Sequence, residues 1–194
     1  VLFINRMISM VRGGGETFDI EMARHLQPLG ATVSFLSGLP LRGEAVCPVS
    51  EFPSHTVRSP YTGLFPWDKI WQGWRIRVWD FRCFEHRAAQ WVKAHEAEFD
   101  IVQICEMPSL IDELQRVGVT IPISIRITAP DYHDVHGAVA RAQAVVASGT
   151  SIAMLHGGPR PDAVNIPNGV DVDQFCPGPR TWREGAGIDD DALV

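Results

Sequence analysis

The sequence predicts an α/β fold built on a doubly wound parallel sheet, and three observations lead to this prediction. Short apolar runs of strand length alternate along the chain with amphipathic segments of helix length. The apolar runs are rich in Val and Ile and lack polar alternation, which is typical of parallel strands buried on both faces. Gly, Pro or Asp residues bound these runs. Alternation of this kind places helices on both faces of a parallel sheet.

The apolar runs predict six or seven parallel strands. Six of them are Val1 to Ile4, Ala31 to Ser37, Asp100 to Cys105, Ile123 to Thr128, Ala144 to Ser148 and Ala163 to Ile166. A weaker seventh run covers His55 to Ser59.

The first helix is predicted over Glu16 to Gln27, because Phe18, Met22 and Leu26 recur at helical spacing and Pro28 follows. Further helices are predicted at Pro108 to Val117 and Ser151 to His156, and another begins within Gly137 to Gln143.

Composition excludes several classes of protein. A net charge of -6, with no sustained run of Lys or Arg, argues against nucleic acid as a partner. The four cysteines form no CxxC pair, so the sequence predicts neither a zinc site nor a disulfide framework, and a cytoplasmic setting is expected. No signal peptide and no membrane-spanning run is expected either.

Three loops follow predicted strands and are therefore candidates for a ligand site. Gly13, Gly14 and Gly15 lead into the first helix, either as a tight turn or as backbone contacts to a phosphate or a sugar, and Glu16 is expected to cap that helix. The loop "RITAPDYHD" is either a binding cleft or a solvated loop in which Asp131 caps a turn. The third, Ser148 to Thr150, is expected only to cap a short helix.

A segment rich in Trp and Arg fills the middle of the chain. From Arg58 to Lys93 there are seven basic and three acidic residues. On a helix over Asp68 to Ala97, one arc of about 140° is expected to be core; it holds Ile70, Trp71, Trp74, Val78, Phe81 and Phe84. A second apolar arc holds Ile76, Trp79 and Cys83. It has three interpretations: a lipid surface, an acceptor groove, or a face covered by an irregular loop.

The stretch "IPNGVDVDQFCP" (Ile166 to Pro177) resembles a signature of GT-B glycosyltransferases of the family 4 kind. "GGGE" after the first strand and "AVVASG" in the sixth agree with that family. The resemblance implies the N-terminal half of a GT-B fold: an acceptor-binding domain over residues 1–166 and an interdomain connection over residues 167–194. That connection would lead to a C-terminal nucleotide-sugar-binding domain absent from this chain.

The resemblance implies a retaining transfer of sugar from a nucleotide-sugar to a hydroxyl acceptor, either a glycan or a lipid-linked group, without a cofactor or a metal. The family's Glu-x7-Glu element belongs to the second domain, so this chain alone is expected to be inactive. It is expected in the cytoplasm, with peripheral membrane contact if the Trp and Arg segment meets lipid.

Many members of that family carry a His at the end of the fifth strand, and this sequence departs from the pattern. Thr128 or Asp131 occupies that place, or His133 reaches back from the loop. The resemblance therefore implies Gly14 and Gly15 as backbone contacts to the donor phosphate or the acceptor. Asp131 is the weaker catalytic candidate, and Thr128 and His133 are candidate substrate contacts.

A second class of function is a stand-alone α/β binding module or a dinucleotide-binding oxidoreductase domain. The oxidoreductase version expects a GxGxxG loop and an acid ending the second strand to hold the ribose. Here three consecutive glycines are followed by Glu16, and "FLSGLP" ends the second strand without an acid.

Overall fold

A single parallel sheet organises the protein. The computed structural model describes residues 1–60, 73–128, 137–170, 172 and 185–187. Within these ranges, seven strands pair in the order β3-β2-β1-β4-β5-β6-β7, and every pairing is parallel. The strands are β1 (Leu2–Ile4), β2 (Ser34–Pro40), β3 (Ser54–Ser59), β4 (Val102–Cys105), β5 (Ile123–Ile127), β6 (Ala144–Ala147) and β7 (Val164–Asn165). The predicted doubly wound α/β fold is confirmed, and the weak run at His55 to Ser59 is a strand.

Helices connect the strands. They are α1 (Gly14–Leu26), α2 (Gly73–Ala94), α3 (Pro108–Arg116) and α4 (Thr150–His156), with 3-10 turns at Gln27–Leu29, Glu96–Glu98 and Ala138–Arg141. The helix expected to begin within Gly137 to Gln143 is only a 3-10 turn, because β6 starts three residues after it. Among the described residues, no helix is both long and apolar enough to cross a bilayer.

The core lies on both faces of the sheet, as the continuous apolar strands predict. On one face, Phe3 and Phe35 pack with Ile20 of α1. On the other face, Leu2 and Ile4 pack in one cluster with buried residues of α2, α3 and α4. Successive residues of β1 thus serve opposite layers, because side chains alternate along a strand.

The buried side of α1 differs from the predicted one. Phe18, Met22 and Leu26 are only half-buried, whereas Asp19, Ile20 and Ala23 are buried. The helix is rotated because Asp19 turns inward to a buried arginine, a partner that the local pattern does not show.

The predicted core arc of α2 is wrong at Val78, which is 47% exposed. Phe84 is fully buried and Phe81 half-buried, as expected. The side chain that turns inward near Val78 is Asp80, because Arg6 holds its carboxylate. Ile70 and Trp71, and the side chain of Trp74, lie outside the part that the structure describes.

Candidate functional site

The order of the strands defines a crevice between β1 and β4. Chain connections diverge at this point: β1 leads to α1 on one face of the sheet, and β4 leads to α3 on the other. In doubly wound sheets, ligands bind at the carboxyl ends of the strands beside such a switch point. The residues that follow β1, β4 and β5 are therefore the candidate site.

The turn after β1 is anchored by buried polar side chains. Asn5 is 3% exposed, and its amide nitrogen donates to Asp19 Oδ2 at 2.7 Å. Its Oδ1 accepts the N–H of Met7 at 3.0 Å. Further along the turn, the hydroxyls of Ser9 and Ser37 are 2.6 Å apart. These bonds fix the backbone that leads into the glycines.

Gly14 and Gly15 open α1 at the edge of the crevice. The Glu16 carboxylate accepts the N–H of Gly13 at 3.1 Å, so the predicted cap is confirmed. In the described part of the chain, the N–H groups of Gly14 and Gly15 meet no protein acceptor. A Cβ placed on Gly14 would meet no atom within 4 Å. Gly14 therefore leaves an approach to two N–H groups at the positive end of a helix dipole.

Arg126 of β5 joins the crevice to α1. It is 2% exposed, and its Nη2 donates to Asp19 Oδ1 at 2.8 Å and to the Gly15 carbonyl at 3.2 Å. The Phe18 ring lies 4.4 Å from the guanidinium carbon. The Nε of Arg126 has no hydrogen-bond partner among the described residues. A cation that interrupts an apolar strand thus holds the start of α1 in place.

Burial and charge pairing both shift the pKa values of the ionisable groups next to the glycines. Burial raises the pKa of Asp19, while the charge of Arg126 and the bond from Asn5 oppose this rise. Burial and the nearby Asp19 carboxylate also raise the pKa of the Cys105 thiol well above its ordinary value. Burial thus favours the neutral thiol of Cys105, whose Sγ lies 3.0 Å from Arg126 Nη2.

Glu106, which follows β4, is a site residue that the sequence analysis missed. It has a φ of 53°, the only positive φ at a non-glycine residue in the described ranges. Its N–H donates to the Arg126 carbonyl at 3.0 Å, and its carboxylate accepts the N–H of Thr128 at 3.2 Å. Strained backbone of this kind concentrates at functional sites. The available signal was an acid directly after a buried strand at the switch point.

The predicted site residues are brought together in part. Gly14, Gly15 and Thr128 lie at the same edge of the sheet, linked through Arg126 and Glu106. Asp131 and His133 fall outside the described residues. The binding roles of all five remain predictions.

The third loop differs from its prediction. Gly149 occupies the N-cap position of α4 with a φ of 60°, and no side chain caps this helix. The expected capping by Ser148 or Thr150 is therefore wrong, because a glycine has no side chain to offer at that position.

A second buried ion pair lies at the same edge. Arg6, the second residue after β1, binds Asp80 of α2 at 2.6 Å, and the Phe81 ring is 4.3 Å from its guanidinium carbon. A Cβ on Gly38 would come within 3.0 Å of both the Arg6 side chain and its carbonyl. The glycine in "FLSGLP" thus makes room for Arg6.

A groove of about 310 Å³ lies outside the crevice, between α1 and the segment that leads to β3. Its lining includes Thr17, Glu21, Arg24 and Glu51. Arg24 binds both Glu21 and Glu51, and Arg12, the other charged residue of the lining, donates to the Cys47 carbonyl at 3.3 Å. The groove shares no residue with the crevice.

Comparison with known proteins gives a structural likeness only. No family model and no curated protein sequence matches the chain. Trehalose-6-phosphate synthase from E. coli, bound with UDP-2-fluoro glucose, is similar with a TM-score of 0.54 and 10% identity; the match covers 96% of this chain and 53% of that one. An α-glucosyltransferase in complex with UDP is similar with a TM-score of 0.50 and 11% identity, covering 89% and 44%.

The chain spans about half the length of these solved structures. The identities are low, so the likeness concerns the fold. The chain has a Rossmann-like α/β fold that matches GT-B glycosyltransferases.

Proposed function

We propose that this chain is the acceptor-side half of a retaining glycosyltransferase of the family 4 kind. The enzyme moves a sugar from a nucleotide-sugar to a hydroxyl acceptor in the cytoplasm. The observation that carries the proposal is the crevice: two N–H groups at the start of α1 meet no acceptor among the described residues, and the Gly15 carbonyl beside them binds Arg126 of β5, in a fold matching GT-B enzymes. The signature at Ile166 to Pro177 supports it from the sequence.

In this proposal, the N–H groups of Gly14 and Gly15 bind phosphate oxygens of the donor or an oxygen of the acceptor. The partial positive charge of a helix N-terminus favours such ligands. Arg126 is a positioning residue, since it holds the Gly15 carbonyl and Asp19 from below.

Glu106 is proposed to accept a hydrogen bond from the acceptor hydroxyl. It is half-buried at the end of β4 and already binds the N–H of Thr128. Thr128, Asp131 and His133 are proposed as polar contacts near the donor sugar, with Asp131 the candidate catalytic group among them.

The chemistry proposed for the following domain depends on the leaving group, a nucleoside diphosphate. A nucleoside diphosphate gains negative charge as the glycosidic bond breaks, so aligned amides and basic side chains lower the barrier. The proposal needs no metal or cofactor, and it assigns the nucleotide pocket to a following domain. This chain alone is therefore expected to be inactive.

The alternative of a dinucleotide-binding oxidoreductase is compatible with the strand order but lacks the sequence features that bind a dinucleotide. β2 ends at Pro40 in "SGLP" and offers no acid for a ribose. A stand-alone binding module would require the coding sequence to stop near Val194, which reading the gene decides.

Calorimetry of this chain tests whether it binds the acceptor and leaves the nucleotide to a following domain. A free nucleoside diphosphate is expected to bind weakly or not at all, while the acceptor retains some affinity. Micromolar binding, about -8 kcal/mol, would place the nucleotide pocket in this chain and contradict the proposal.

A pair of glycine variants in the full enzyme tests the crevice itself. Gly14→Leu is expected to lower transfer about tenfold or more, because its side chain would cover the free N–H groups. Gly14→Ala is the control for backbone effects, since its Cβ meets no atom within 4 Å. Equal activity of Gly14→Leu and the unmodified enzyme would exclude the proposed phosphate contact.

A further inference from the structure

The outer face of α2 carries an unusual combination of side chains. At about 100° per residue, Arg75, Val78, Trp79, Arg82 and His86 fall within an arc of about 100°. Val78 is 47% exposed and Trp79 is 56% exposed, and both arginines are exposed. We call these five residues the outer α2 face.

The acids of this segment of α2 do not reach that face; at its edge, His86 Nδ1 lies 3.2 Å from Glu113 Oε2 of α3. Between Arg75 and Arg87 the acids are Asp80 and Glu85, which are 0% and 3% exposed. Asp80 binds the buried Arg6, and Glu85 accepts a bond from Ser109. The described side chains that are both charged and exposed in this segment are therefore all arginines, in a chain whose net charge is -6.

We propose that the outer α2 face docks on an anionic lipid bilayer. Basic residues are attracted to the negative surface of such a bilayer, and an exposed Trp beside an exposed apolar residue suits the boundary between headgroups and acyl chains. The exposure of Trp79 disfavours the interpretation in which a loop covers it. A soluble polyanion, which has no apolar region, would bind the arginines but offer no apolar contact to Trp79.

The position of this face relates it to the crevice. The Phe81 ring of α2 lies 4.3 Å from the guanidinium carbon of Arg6, the second residue after β1. The first half of α2 is thus at the sheet edge where the switch point opens. If the proposed function holds, on which this step rests, docking would bring a hydroxyl acceptor carried by a lipid towards that edge.

Cosedimentation of the whole chain with vesicles tests the docking without any assay of sugar transfer. The chain is expected to bind vesicles of phosphatidylcholine with phosphatidylserine, to bind pure phosphatidylcholine vesicles much less, and to be released by high salt. A failure of sugar transfer would leave this result unaffected, so the two proposals fail separately.

Two variants and two controls identify the face. Arg82→Gln is expected to weaken binding about fivefold, the share of one basic residue at a charged surface, and Trp79→Ser to weaken it as much or more. Arg24→Gln makes the same change of charge on α1, across the sheet, and Leu29→Ser removes another exposed apolar residue. Both controls are expected to bind vesicles as the unmodified chain does.

Thermal unfolding completes the design. Trp79→Ser is expected to unfold at an unchanged temperature, because an exposed side chain has little packing to lose. Equal binding to both kinds of vesicle, or an equal effect of Arg24→Gln and Arg82→Gln, would overturn the proposal. Loss of binding in Arg82→Gln but not in Trp79→Ser would also overturn it, since a soluble polyanion would then be the better partner.

Discussion

The two buried Arg–Asp pairs of this protein are built alike but hold different parts of it. Arg6 and Asp80 are 2.6 Å apart, and Arg126 and Asp19 are 2.8 Å apart. In each pair an aromatic ring lies against the guanidinium, at 4.3 Å and 4.4 Å.

The difference lies in what each arginine and its aspartate connect. Arg126 also donates to the Gly15 carbonyl, so its pair supports the glycines at the crevice. The pair of Arg6 ties α2 to the end of β1 and turns Asp80 away from the outer α2 face. The same interaction therefore shapes the candidate site in one place and the charge of a surface in the other.

Truncating either aspartate is expected to have the largest effect on stability. Asp80→Ala and Asp19→Ala each leave a buried guanidinium without its carboxylate, which costs about 3–5 kcal/mol. Denaturant unfolding of both variants measures it. A loss below about 1 kcal/mol, the size of a surface pair, would show that the pair in question is not buried in solution.

Gly38 and Gly14 differ in the space beside them: a Cβ on Gly38 would contact Arg6, whereas a Cβ on Gly14 would meet no atom within 4 Å. Gly38→Ala is expected to destabilise the fold by about 1–3 kcal/mol, because its Cβ would crowd Arg6 and Phe84. Gly14→Ala is the matched control and is expected to stay within about 0.5 kcal/mol. Equal stability of the two variants would mean that Arg6 does not lie against β2.

Asparagine substitutions are expected to separate the two pairs by their effect on sugar transfer, if the proposed function holds. In the full enzyme, Asp19→Asn is expected to lower transfer about tenfold, or about 1.4 kcal/mol, because Arg126 and the start of α1 lose a charged anchor. Asp80→Asn is expected to lower stability but to leave the turnover of the folded protein unchanged. Equal losses of turnover would remove the functional distinction between the pairs.

The smallest expected effect concerns pH. Burial raises the pKa of Glu85 above its ordinary value of 4.5, against the opposing bond from Ser109 and charge of Arg82. The folded protein then holds this proton more tightly than the unfolded chain does. The resulting stabilisation is fully present below the unfolded pKa and is lost as the pH rises through the folded pKa.

Glu85→Gln is expected to flatten this dependence, because an amide does not titrate. Unfolding of both proteins across that pH window measures the change. An unchanged slope in the variant would assign the pH dependence to another group.

The sequence predicted the sheet well because its strands are buried on both faces and read as continuous apolar runs. It also placed Gly14, Gly15 and Thr128 after strands that end at one edge. It did not predict which helix side chains are buried where a residue distant in the sequence binds them. Asp19 turns inward for Arg126, 107 residues away, and Asp80 turns inward for Arg6, 74 residues away. Glu106 was missed because its significance comes from the switch point, which only the strand order reveals.

The anomeric configuration of a product decides whether the crevice belongs to a retaining glycosyltransferase, as proposed. The measurement uses the chain joined to the coding sequence that follows it, with a panel of nucleotide-sugars and hydroxyl acceptors. We expect transfer to a hydroxyl with the configuration of the donor sugar retained, observed by NMR of the first-formed product. Inversion at that carbon, or a stop codon directly after Val194, would contradict it.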